Sequence, residues 1–444
     1  MNSFKSNSQT VKQWLAAKQE PMITVGIMRR NVVEMELHGH YICAENRNTY
    51  TGRITATINN GEILISDKHF HQLSLIPQEE KCCCSLANVT IGIGFHWQQE
   101  ETQQFEGEVH LVVIDQAIQV INRLQVERYI HAVIGSEMSA TSDLELLKAH
   151  AVISRSWLLA PMINGESNTA VQETITNEEI VRWYERNAHT YFDVCADDHC
   201  QRYQGLTRTT TATLTQAIAE TKGEVLTMDN EICDARFSKS CGGVTELFEN
   251  CWGKYRKHNY LRSIYDHNNH NTIDLSNEQQ AQNWIKTQPE AFCNIRDKKI
   301  LSQILNNYDQ NTPDFFRWHI TYTPTELNEI VRQKSGIDFG KILSLIPLQR
   351  GPSGRIIRLK IVGERCTKIV GKELEIRKWL SPSHLYSSAF YVEQDNEHIT
   401  LHGAGWGHGV GLCQIGAAQM SQQGYNYHEI LMHYFRGASI QKLW

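Results

Sequence analysis

The sequence predicts a mixed α+β protein with a β-rich N-terminal part, central helices, a Gly-rich loop and C-terminal helices. From Pro21 to about Ile121, short β-branched runs such as MITVGIM and GEVHLVVI alternate with Asn, Gly and charged clusters, as in strands. From Leu124 to Leu159 the apolar residues recur at a helical period instead. Near the C-terminus, a glycine run precedes two further helical stretches.

The order of these patterns divides the chain into five predicted segments. At 444 residues the chain has room for about three domains or one large domain with insertions. The segments are a polar N-terminal segment (1–20), a β-rich region (21–123), a core with the central helices (124–260), a polar helical insertion (261–350), and strands, Gly-rich loop and helices that complete the core (351–444).

Composition excludes several classes of protein. The chain is 41% hydrophobic and 21% charged, which is typical of a folded protein with a sizeable core. Its net charge of -6 provides no positive field for phosphate backbones, so no nucleic-acid partner is expected. No apolar run approaches the roughly 18 residues of a membrane span, and residues 1–20 lack the apolar part of a signal peptide. As written, nothing is expected to export or anchor the chain.

Glu137 is the candidate acid. It ends an apolar helical stripe, because Val126 and Ile130 each lie about 20° from it on a helical wheel. A carboxyl group with apolar neighbours loses hydration of its charged form, so its pKa rises and it can stay protonated near neutral pH, as a general acid must. The alternative is a helix-end glutamate that faces water, which is the more common situation.

A short segment holds a candidate metal site. Its residues His189, Cys195, His199 and Cys200 offer two imidazoles and two thiolates, a complete tetrahedral set for zinc. The alternative is a surface loop with incidental histidines and buried cysteines. Because four protein ligands leave no open coordination position, a bound zinc would be structural rather than catalytic.

Two glycine-containing loops, 238–245 and 403–414, are candidate binding segments. Gly242 and Gly243 would let the backbone approach a ligand closely, although a tight turn explains the pair equally well. In the second loop Trp406 offers a face for a sugar ring, and the alternative is glycine packing of helix against strand. The second loop fits neither a dinucleotide-binding nor a P-loop pattern.

In this order, these segments resemble the SpoIID/LytB family, the stage II sporulation protein D and amidase-enhancer group that acts on bacterial peptidoglycan. The resemblance rests on VERYIHAVIGSEM and LKAHAVISRSW, VCADDHCQRYQG, SKSCGGVT and the terminal GWGHGVGLCQIGAAQM run, and firmly covers under half of the chain. Ser139 stands where the family usually has proline after Glu-Met, and His150 replaces a glutamine of the next helix. Arg155 of that helix is kept.

The resemblance implies a lytic transglycosylase with a SpoIID-like catalytic core in residues 124–260 and Glu137 as its acid. Its substrate would be peptide-free (denuded) glycan strands of peptidoglycan, which it would leave with 1,6-anhydro-muramyl ends. One carboxyl suffices, because it protonates the glycosidic oxygen and then takes the proton of the muramyl 6-hydroxyl. Residues 189–200 resemble the family's zinc-holding loop. The expected glycan contacts are Arg155, Gln201, Tyr203, Ser240, Gly242, Gly243, Trp406, His408 and Gln414.

Two other functions remain open. The chain could bind glycan and activate a cell-wall N-acetylmuramoyl-L-alanine amidase without cutting, as the enhancer branch of the family implies. A metal-dependent amidase or peptidase would instead need an open zinc position. Action in the cell envelope is expected from the resemblance, although residues 1–20 show no signal peptide. Glu137 is expected to be partly buried.

Overall fold

The fold is described from a computed structural model. It describes residues 4–6, 8–93, 98–139, 141–164, 173–184, 189–208, 211–253, 258–269, 271–297, 301 and 314–444. Helices and strands are both abundant, the N-terminal part is β-rich and the later part carries more helices, so the predicted α+β class is confirmed. Among these residues, no helix combines the length and the apolar character that a membrane span requires.

The chain forms two compact units. Unit 1 comprises Met1–Glu166, Arg186–Val225 and Gln441–Trp444, and unit 2 comprises Ser167–Glu185 and Leu226–Ile440. The five segments predicted from sequence follow composition along the chain, whereas these units follow contacts in space. The four candidate metal ligands and Glu137 belong to unit 1, and both glycine loops belong to unit 2.

Unit 1 is built on an eleven-stranded sheet. Its strands are β1 (Met22–Arg30), β2 (Val32–Cys43), β3 (Thr49–Asn59), β4 (Glu62–Ile65), β5 (Lys68–Phe70), β6 (Gln72–Pro77), β7 (Cys83–Ile91), β8 (Gln99–Glu106), β9 (Glu108–Ile114), β10 (Ala117–Gln125) and β13 (Val194–Cys195). The order is β13-β1-β10-β9-β6-β2-β3-β4-β5, and β7 pairs with β2 and β8. The last strand, β13, runs parallel to β1 and carries the candidate ligand Cys195 to the edge of the sheet.

Four helices accompany this sheet among the described residues of unit 1. They are α1 (Ser8–Ala16), α2 (Val126–Glu137), α3 (Leu144–Asn164) and α4 (Ala212–Glu220), with a 3₁₀ turn at Gly205–Thr207. The predicted stripe of α2 is confirmed, since its members Val126, Ile130 and Val133 are fully buried. Helix α3 is buried on nearly all sides, so its polar residues as well as its apolar ones lie inside unit 1. Glu137 is thus the last residue of a helix packed into the core of unit 1.

Unit 2 contains several smaller sheets and most of the later helices. Its five-stranded sheet has the order β11 (Glu173–Ile175), β12 (Glu179–Arg182), β20 (Thr367–Gly371), β19 (Ile356–Gly363), β18 (Ile342–Arg350). A three-stranded sheet has the order β17 (Arg317–Tyr322), β22 (Ile399–Ala404), β21 (Phe390–Gln394), and a two-stranded one pairs β16 (Phe237–Ser238) with β23 (Leu412–Cys413). A further sheet has the order β15 (Glu231–Ile232), β14 (Glu224–Met228), β24 (Ser439–Lys442), of which β14 and β24 lie only in part in unit 2.

The helices of unit 2 border these sheets. Within the part of unit 2 that the structure describes, they are α5 (Phe248–Cys251), α6 (Glu278–Lys286), α7 (Pro324–Ser335), α8 (Glu373–Trp379), α9 (Gln414–Gln422) and α10 (Tyr427–Tyr434). A large core cluster joins α7 and α8 to the sheets, through residues such as Leu327, Phe339 and Trp379. Residues 261–350, predicted as a helical insertion, hold α6 and α7 but also β17 and β18, so the segment takes part in the sheets of unit 2.

A buried ion pair connects α2 to α3 in unit 1. Nη2 of Arg155 donates to Oε2 of Glu127 at 2.8 Å, and its Nη1 donates to the carbonyl of Glu224 at 2.8 Å. Oε1 of Glu127 accepts from the backbone N–H of Gly223 at 2.9 Å. Arg155 is 0% exposed and Glu127 8%. The guanidinium that was predicted to contact glycan is therefore engaged inside unit 1.

Glu127→Ala should lower the free energy of unfolding by about 3–5 kcal/mol, because it leaves the Arg155 charge buried without its partner. Glu145→Ala is a matched control, since Glu145 is also the second residue of its helix and pairs with Lys148 at a partly exposed site. Exposed pairs contribute about 0–1 kcal/mol. Urea denaturation of both variants tests this, and equal midpoints would contradict the structural role of Arg155.

Candidate functional site

The end of α2 meets the segment that follows the Cys/His residues. Glu137 is partly buried, as expected from sequence, and its Oε1 accepts a hydrogen bond from the backbone N–H of Arg202 at 2.9 Å. One residue earlier, the hydroxyl of Ser136 accepts from the backbone N–H of Gln204 at 3.2 Å. Two backbone donors of the segment, at positions 202 and 204, therefore fix it against the helix end, and the first of them orients the carboxylate.

Two predicted glycan contacts hold this segment from within unit 1. Gln201 is 0% exposed and its Oε1 accepts from the hydroxyl of Tyr129 at 3.3 Å. Tyr203 is 1% exposed, donates its hydroxyl to Oδ1 of Asn122 at 2.6 Å, and stacks on Tyr129 with ring centroids 5.3 Å apart. Tyr129 and Asn122 had not been singled out from sequence, because their role depends on contacts more than 70 positions away.

The four predicted metal ligands of unit 1 come together. One ligand atom from each of His189, Cys195, His199 and Cys200 lies within 4.8 Å of the others. Sγ of Cys200 lies 3.4 Å from Nε2 of His189 and 3.6 Å from Nδ1 of His199, and Sγ of Cys195 lies 4.0 Å from that Nδ1. A tetrahedral zinc with the usual bond lengths separates a sulfur and a nitrogen ligand by about 3.5 Å. The donor set and its spacing therefore fit the ion.

The electrostatics of this cluster favour an anionic sulfur. Hydrogen bonding with Cys200, and then with His189 and His199, lowers the pKa of Cys195 far below that of an ordinary thiol. A cavity of about 340 Å³ borders the cluster and is lined in part by Cys195, His199 and Arg202. Burial raises the pKa of Asp197, another lining residue, to about 6.

In unit 2 the two glycine loops lie against each other. Strands β16 and β23 pair in parallel at the start of one loop and the end of the other. The backbone N–H of Ser240 donates to the carbonyl of Trp406 at 3.0 Å, and the N–H of Trp406 donates to the carbonyl of Ser240 at 2.8 Å. Residues 238–245 and 403–414 thus form one paired-loop surface, which we call the loop pair.

Glycine is required inside the loop pair for contact between the loops themselves. Gly242 has a φ of +78°, and a Cβ there would lie 2.9 Å from the backbone nitrogen of Gly405. A Cβ on Gly243 would lie 2.7 Å from the ring of Trp284. The two glycines, which were predicted to bring the backbone close to a ligand, are both buried. Each of them instead lies close to another part of the protein.

Arg355 fastens the two loops together, although sequence analysis did not single it out. It is 0% exposed, and it donates from Nε to the carbonyl of Gly407 at 3.1 Å and from Nη1 to that of Cys241 at 3.1 Å. A Cβ on Gly409 would lie 2.4 Å from its guanidinium. Because Arg355 lies 52 and 114 positions from Gly407 and Cys241 in sequence, no local pattern signals this role.

The predicted contacts of the loop pair differ in accessibility. Ser240 is 0% exposed and Gln414 3%, whereas Trp406 and His408 are partly exposed. Trp406 packs beside Tyr386, with ring centroids 4.2 Å apart. Nδ1 of His408 accepts from the backbone N–H of Val410 at 3.0 Å, so Nε2 carries the proton of the neutral ring.

A second group of metal-type ligands lies in unit 2. Cys241, Asp266, Cys293 and Cys413 are all buried, and one ligand atom of each lies within 4.8 Å of the others. This buried Cys/Asp cluster could hold a metal ion. Sequence analysis did not identify this group, because its spacings of 25 to 172 residues match no local metal-binding pattern.

Two family models match the chain. Residues 114–228 match the SpoIID model, described as stage II sporulation protein. The predicted resemblance to the SpoIID family is confirmed. This SpoIID match contains Glu137 and the four Cys/His ligands. Residues 246–411 match a domain of unknown function, DUF8618, which contains Arg355, Trp406 and His408.

Curated relatives extend the SpoIID similarity over most of the chain. Stage II sporulation protein D of Bacillus subtilis is 22% identical over 75% of this chain and 79% of its own length. An uncharacterized protein of Brachyspira hyodysenteriae is 24% identical over 76% of this chain and 72% of its own length. The amidase enhancer of Bacillus subtilis is 24% identical over 69% of this chain, which spans 39% of that protein.

The partly buried imidazole of His408 should make stability depend on pH. Burial, with the nearby charges of Arg236 and Arg355, lowers its pKa well below the ordinary 6.5. The unfolded chain therefore binds a proton below about pH 6.5 that the folded chain does not, so stability falls as pH falls. His408→Gln should reduce this slope by up to about 1.4 kcal/mol per pH unit.

Urea denaturation between pH 7.5 and pH 5 measures that slope. His398→Gln is the control, because the side chain of His398 is 51% exposed. His384 and His131 also have lowered pKa values and contribute with the same sign, so part of the slope should remain in His408→Gln. Identical slopes in wild type and His408→Gln would contradict the prediction.

Proposed function

We propose that this protein is a lytic transglycosylase that cleaves peptide-free glycan strands of peptidoglycan, with Glu137 as its only acid/base. The observation that carries this proposal is the partly buried Glu137 at the end of α2, with Oε1 oriented by the backbone N–H of Arg202. A fixed carboxyl group that still reaches solvent is what proton transfer to a bound polymer requires. The similarity to the SpoIID family supports the same assignment.

The reaction needs one proton donor and no water. Protonated Glu137 gives its proton to the glycosidic oxygen, and the bond between that oxygen and C1 of the muramyl residue breaks. The carboxylate of Glu137 then accepts the proton of the 6-hydroxyl as its oxygen bonds to C1. The products are a new chain end and a 1,6-anhydro-muramyl end, and Glu137 is protonated again.

The accessible residues of the loop pair are the proposed glycan contacts in unit 2. Trp406 offers its ring for stacking on a sugar, and the partly exposed imidazole of His408 is the second proposed contact. For the buried residues we propose a supporting role in shaping the loops, without direct contact. These are Arg155, Gln201, Tyr203, Ser240, Gly242, Gly243 and Gln414.

We further propose that His189, Cys195, His199 and Cys200 hold a structural zinc ion. Four protein donors complete a tetrahedron, so the ion has no open position for substrate or water, which disfavours a metal-dependent amidase or peptidase. Its effect on catalysis is indirect. By fixing the loop that ends at Cys200, the ion would position the N–H of Arg202 on Glu137, two residues further on.

The second candidate function is a glycan-binding activator of an N-acetylmuramoyl-L-alanine amidase. The observation that favours it is the similarity to a protein named amidase enhancer. Such a protein would bind glycan through the loop pair and leave cleavage to its partner, so Glu137 would be dispensable. Both functions place the protein at the peptidoglycan of the cell envelope.

Glu137→Gln should abolish cleavage, because an amide cannot donate the proton to the glycosidic oxygen. Wild type and variant are incubated with peptide-free glycan strands, and the products are identified by mass spectrometry. We expect 1,6-anhydro-muramyl ends from the wild type and a decrease of at least about 10²-fold in the variant.

Glu145→Gln removes a partly exposed carboxylate in the same unit and should leave product formation unchanged. Sedimentation with insoluble glycan measures binding, which Glu137→Gln should retain. If the wild type yields no product but binds glycan and accelerates an added amidase, the transglycosylase proposal fails and the activator is supported.

Cys200→Ser should lower bound zinc by one equivalent per chain and reduce transglycosylase activity, because the Arg202 N–H is no longer held on Glu137. Elemental analysis of the purified protein measures the zinc, and the glycan assay measures the activity. Cys366→Ser is the control, since its partly buried thiol in unit 2 belongs to neither ligand group. Unchanged zinc in Cys200→Ser would refute the metal assignment.

A further inference from the structure

The buried Cys/Asp cluster of unit 2 draws its four residues from four separate parts of the chain. Cys241 lies in the first loop of the loop pair, and Cys413 ends the second, at the N-cap of α9. Asp266 follows the isolated bridge residue Tyr265, and Cys293 lies beyond α6. Cys241 and Cys293 are 2% and 1% exposed, and Asp266 and Cys413 are 0% exposed.

The distances within the cluster fit one tetrahedral ion. Sγ of Cys241 lies 3.6 Å from Sγ of Cys293 and 3.5 Å from Oδ2 of Asp266. With zinc–sulfur bonds near 2.3 Å and zinc–oxygen bonds near 2.0 Å, a tetrahedron separates two sulfurs by about 3.8 Å and a sulfur from an oxygen by about 3.5 Å. Both observed separations match this geometry within about 0.2 Å, the tolerance expected for a metal site.

Side chains of the cluster accept hydrogen bonds from the surrounding protein, as metal ligands usually do. The hydroxyl of Tyr434 donates to Oδ1 of Asp266 at 2.6 Å, and the backbone N–H of Cys293 donates to Oδ2 at 3.1 Å. The backbone N–H of Cys241 donates to Sγ of Cys413 at 3.2 Å. Donors of this kind orient anionic ligands and stabilise their charge.

The fold also leaves room for the carboxylate beside α9. A Cβ on Gly416 would lie 2.6 Å from Oδ2 of Asp266 and 2.4 Å from the hydroxyl of Tyr434. A larger residue at this position of the helix would displace the ligand and its donor. Because Gly416 has no side chain, the carboxylate of Asp266 can lie close to α9.

An arginine and an imidazole near the cluster can offset part of the charge of a loaded site. Three thiolates and one carboxylate around a divalent ion leave about two negative charges, which are costly when buried. Nε2 of His433 lies 3.8 Å from Oδ1 of Asp266. Arg317 is mostly buried, interacts electrostatically with Cys241 and Cys293, and donates to the carbonyl of Gly242 at 3.1 Å.

We propose that Cys241, Asp266, Cys293 and Cys413 form a second, fully buried metal site that holds a structural zinc ion. A disulfide between Cys241 and Cys293 would involve only these two residues. It would not explain why Cys413 and Asp266 lie in the same cluster. An iron–sulfur cluster would separate the thiolates further, because several irons would lie between them. A single ion uses all four residues.

The second site gives a function to part of the polar segment at 261–350. Asp266 and Cys293 flank α6, whereas the other two ligands belong to the loop pair. A common ion would attach both ends of this stretch to the loops that carry Trp406 and His408. The contribution to stability comes from closing long loops, and the ligands lie 25 or more positions apart.

Metal analysis of the full chain tests the proposal. The protein is purified with zinc and reductant, and bound zinc is measured by elemental analysis for wild type, Cys293→Ala, Cys200→Ala and the double variant. We expect two equivalents in the wild type, one in each single variant and none in the double variant. Cys251→Ala is the control, because Cys251 is a buried thiol outside both ligand groups.

A spectroscopic measurement keeps the test valid if Cys293→Ala does not fold. Wild type and Cys200→Ala are loaded with cobalt in place of zinc, and their absorption is recorded. Cys200→Ala should retain one tetrahedral cobalt with the strong charge-transfer absorption of three thiolates. One zinc equivalent in the wild type that Cys200→Ala abolishes would overturn the proposal, as would a Cys241–Cys293 disulfide in peptides mapped from protein purified without reductant.

Discussion

The hydrogen bond from the backbone N–H of Arg202 to Oε1 of Glu137 is the interaction on which the candidate site of unit 1 depends. Neither partner could hold it alone, since Glu137 ends its helix and Arg202 lies in irregular backbone. The core packing of α2 fixes one side, and the Cys/His ligands together with buried Gln201 and Tyr203 fix the other. The carboxylate is therefore oriented by structure that extends well beyond its own contacts.

In unit 2, too, the candidate binding residues lie in irregular loops that other parts of the structure must hold in place. Paired loops of this kind have few ladder hydrogen bonds, so their conformation must be fixed by side chains from elsewhere. Arg355 does this by donating to the carbonyls of Gly407 and Cys241, and Cys241 also belongs to the buried Cys/Asp cluster. An arginine and a ligand cluster together replace the hydrogen bonds that a regular sheet would supply.

Sequence reasoning recovered what depends on local pattern and missed what depends on distant contacts. The fold class, the buried stripe of α2 and the grouping of the four Cys/His ligands follow from periodicity or from spacing within 12 residues. Arg155 was instead expected at the glycan, because nothing near it in sequence shows its ion pair with Glu127. Arg355, Asp266 and Cys293 were missed for the same reason, since their partners lie many positions away.

The two ligand groups differ in how a metal would couple to folding. Ligands within 12 residues close short loops, so the Cys/His site can form while little else of unit 1 is ordered. The Cys/Asp ligands span residues 241 to 413 and are all buried, so their site exists only after unit 2 has folded. An ion there would bind only the native state and would stabilise it by its whole binding free energy. The partly exposed site is suited to adjusting the loop beside Glu137, and the buried one to keeping the loop pair closed.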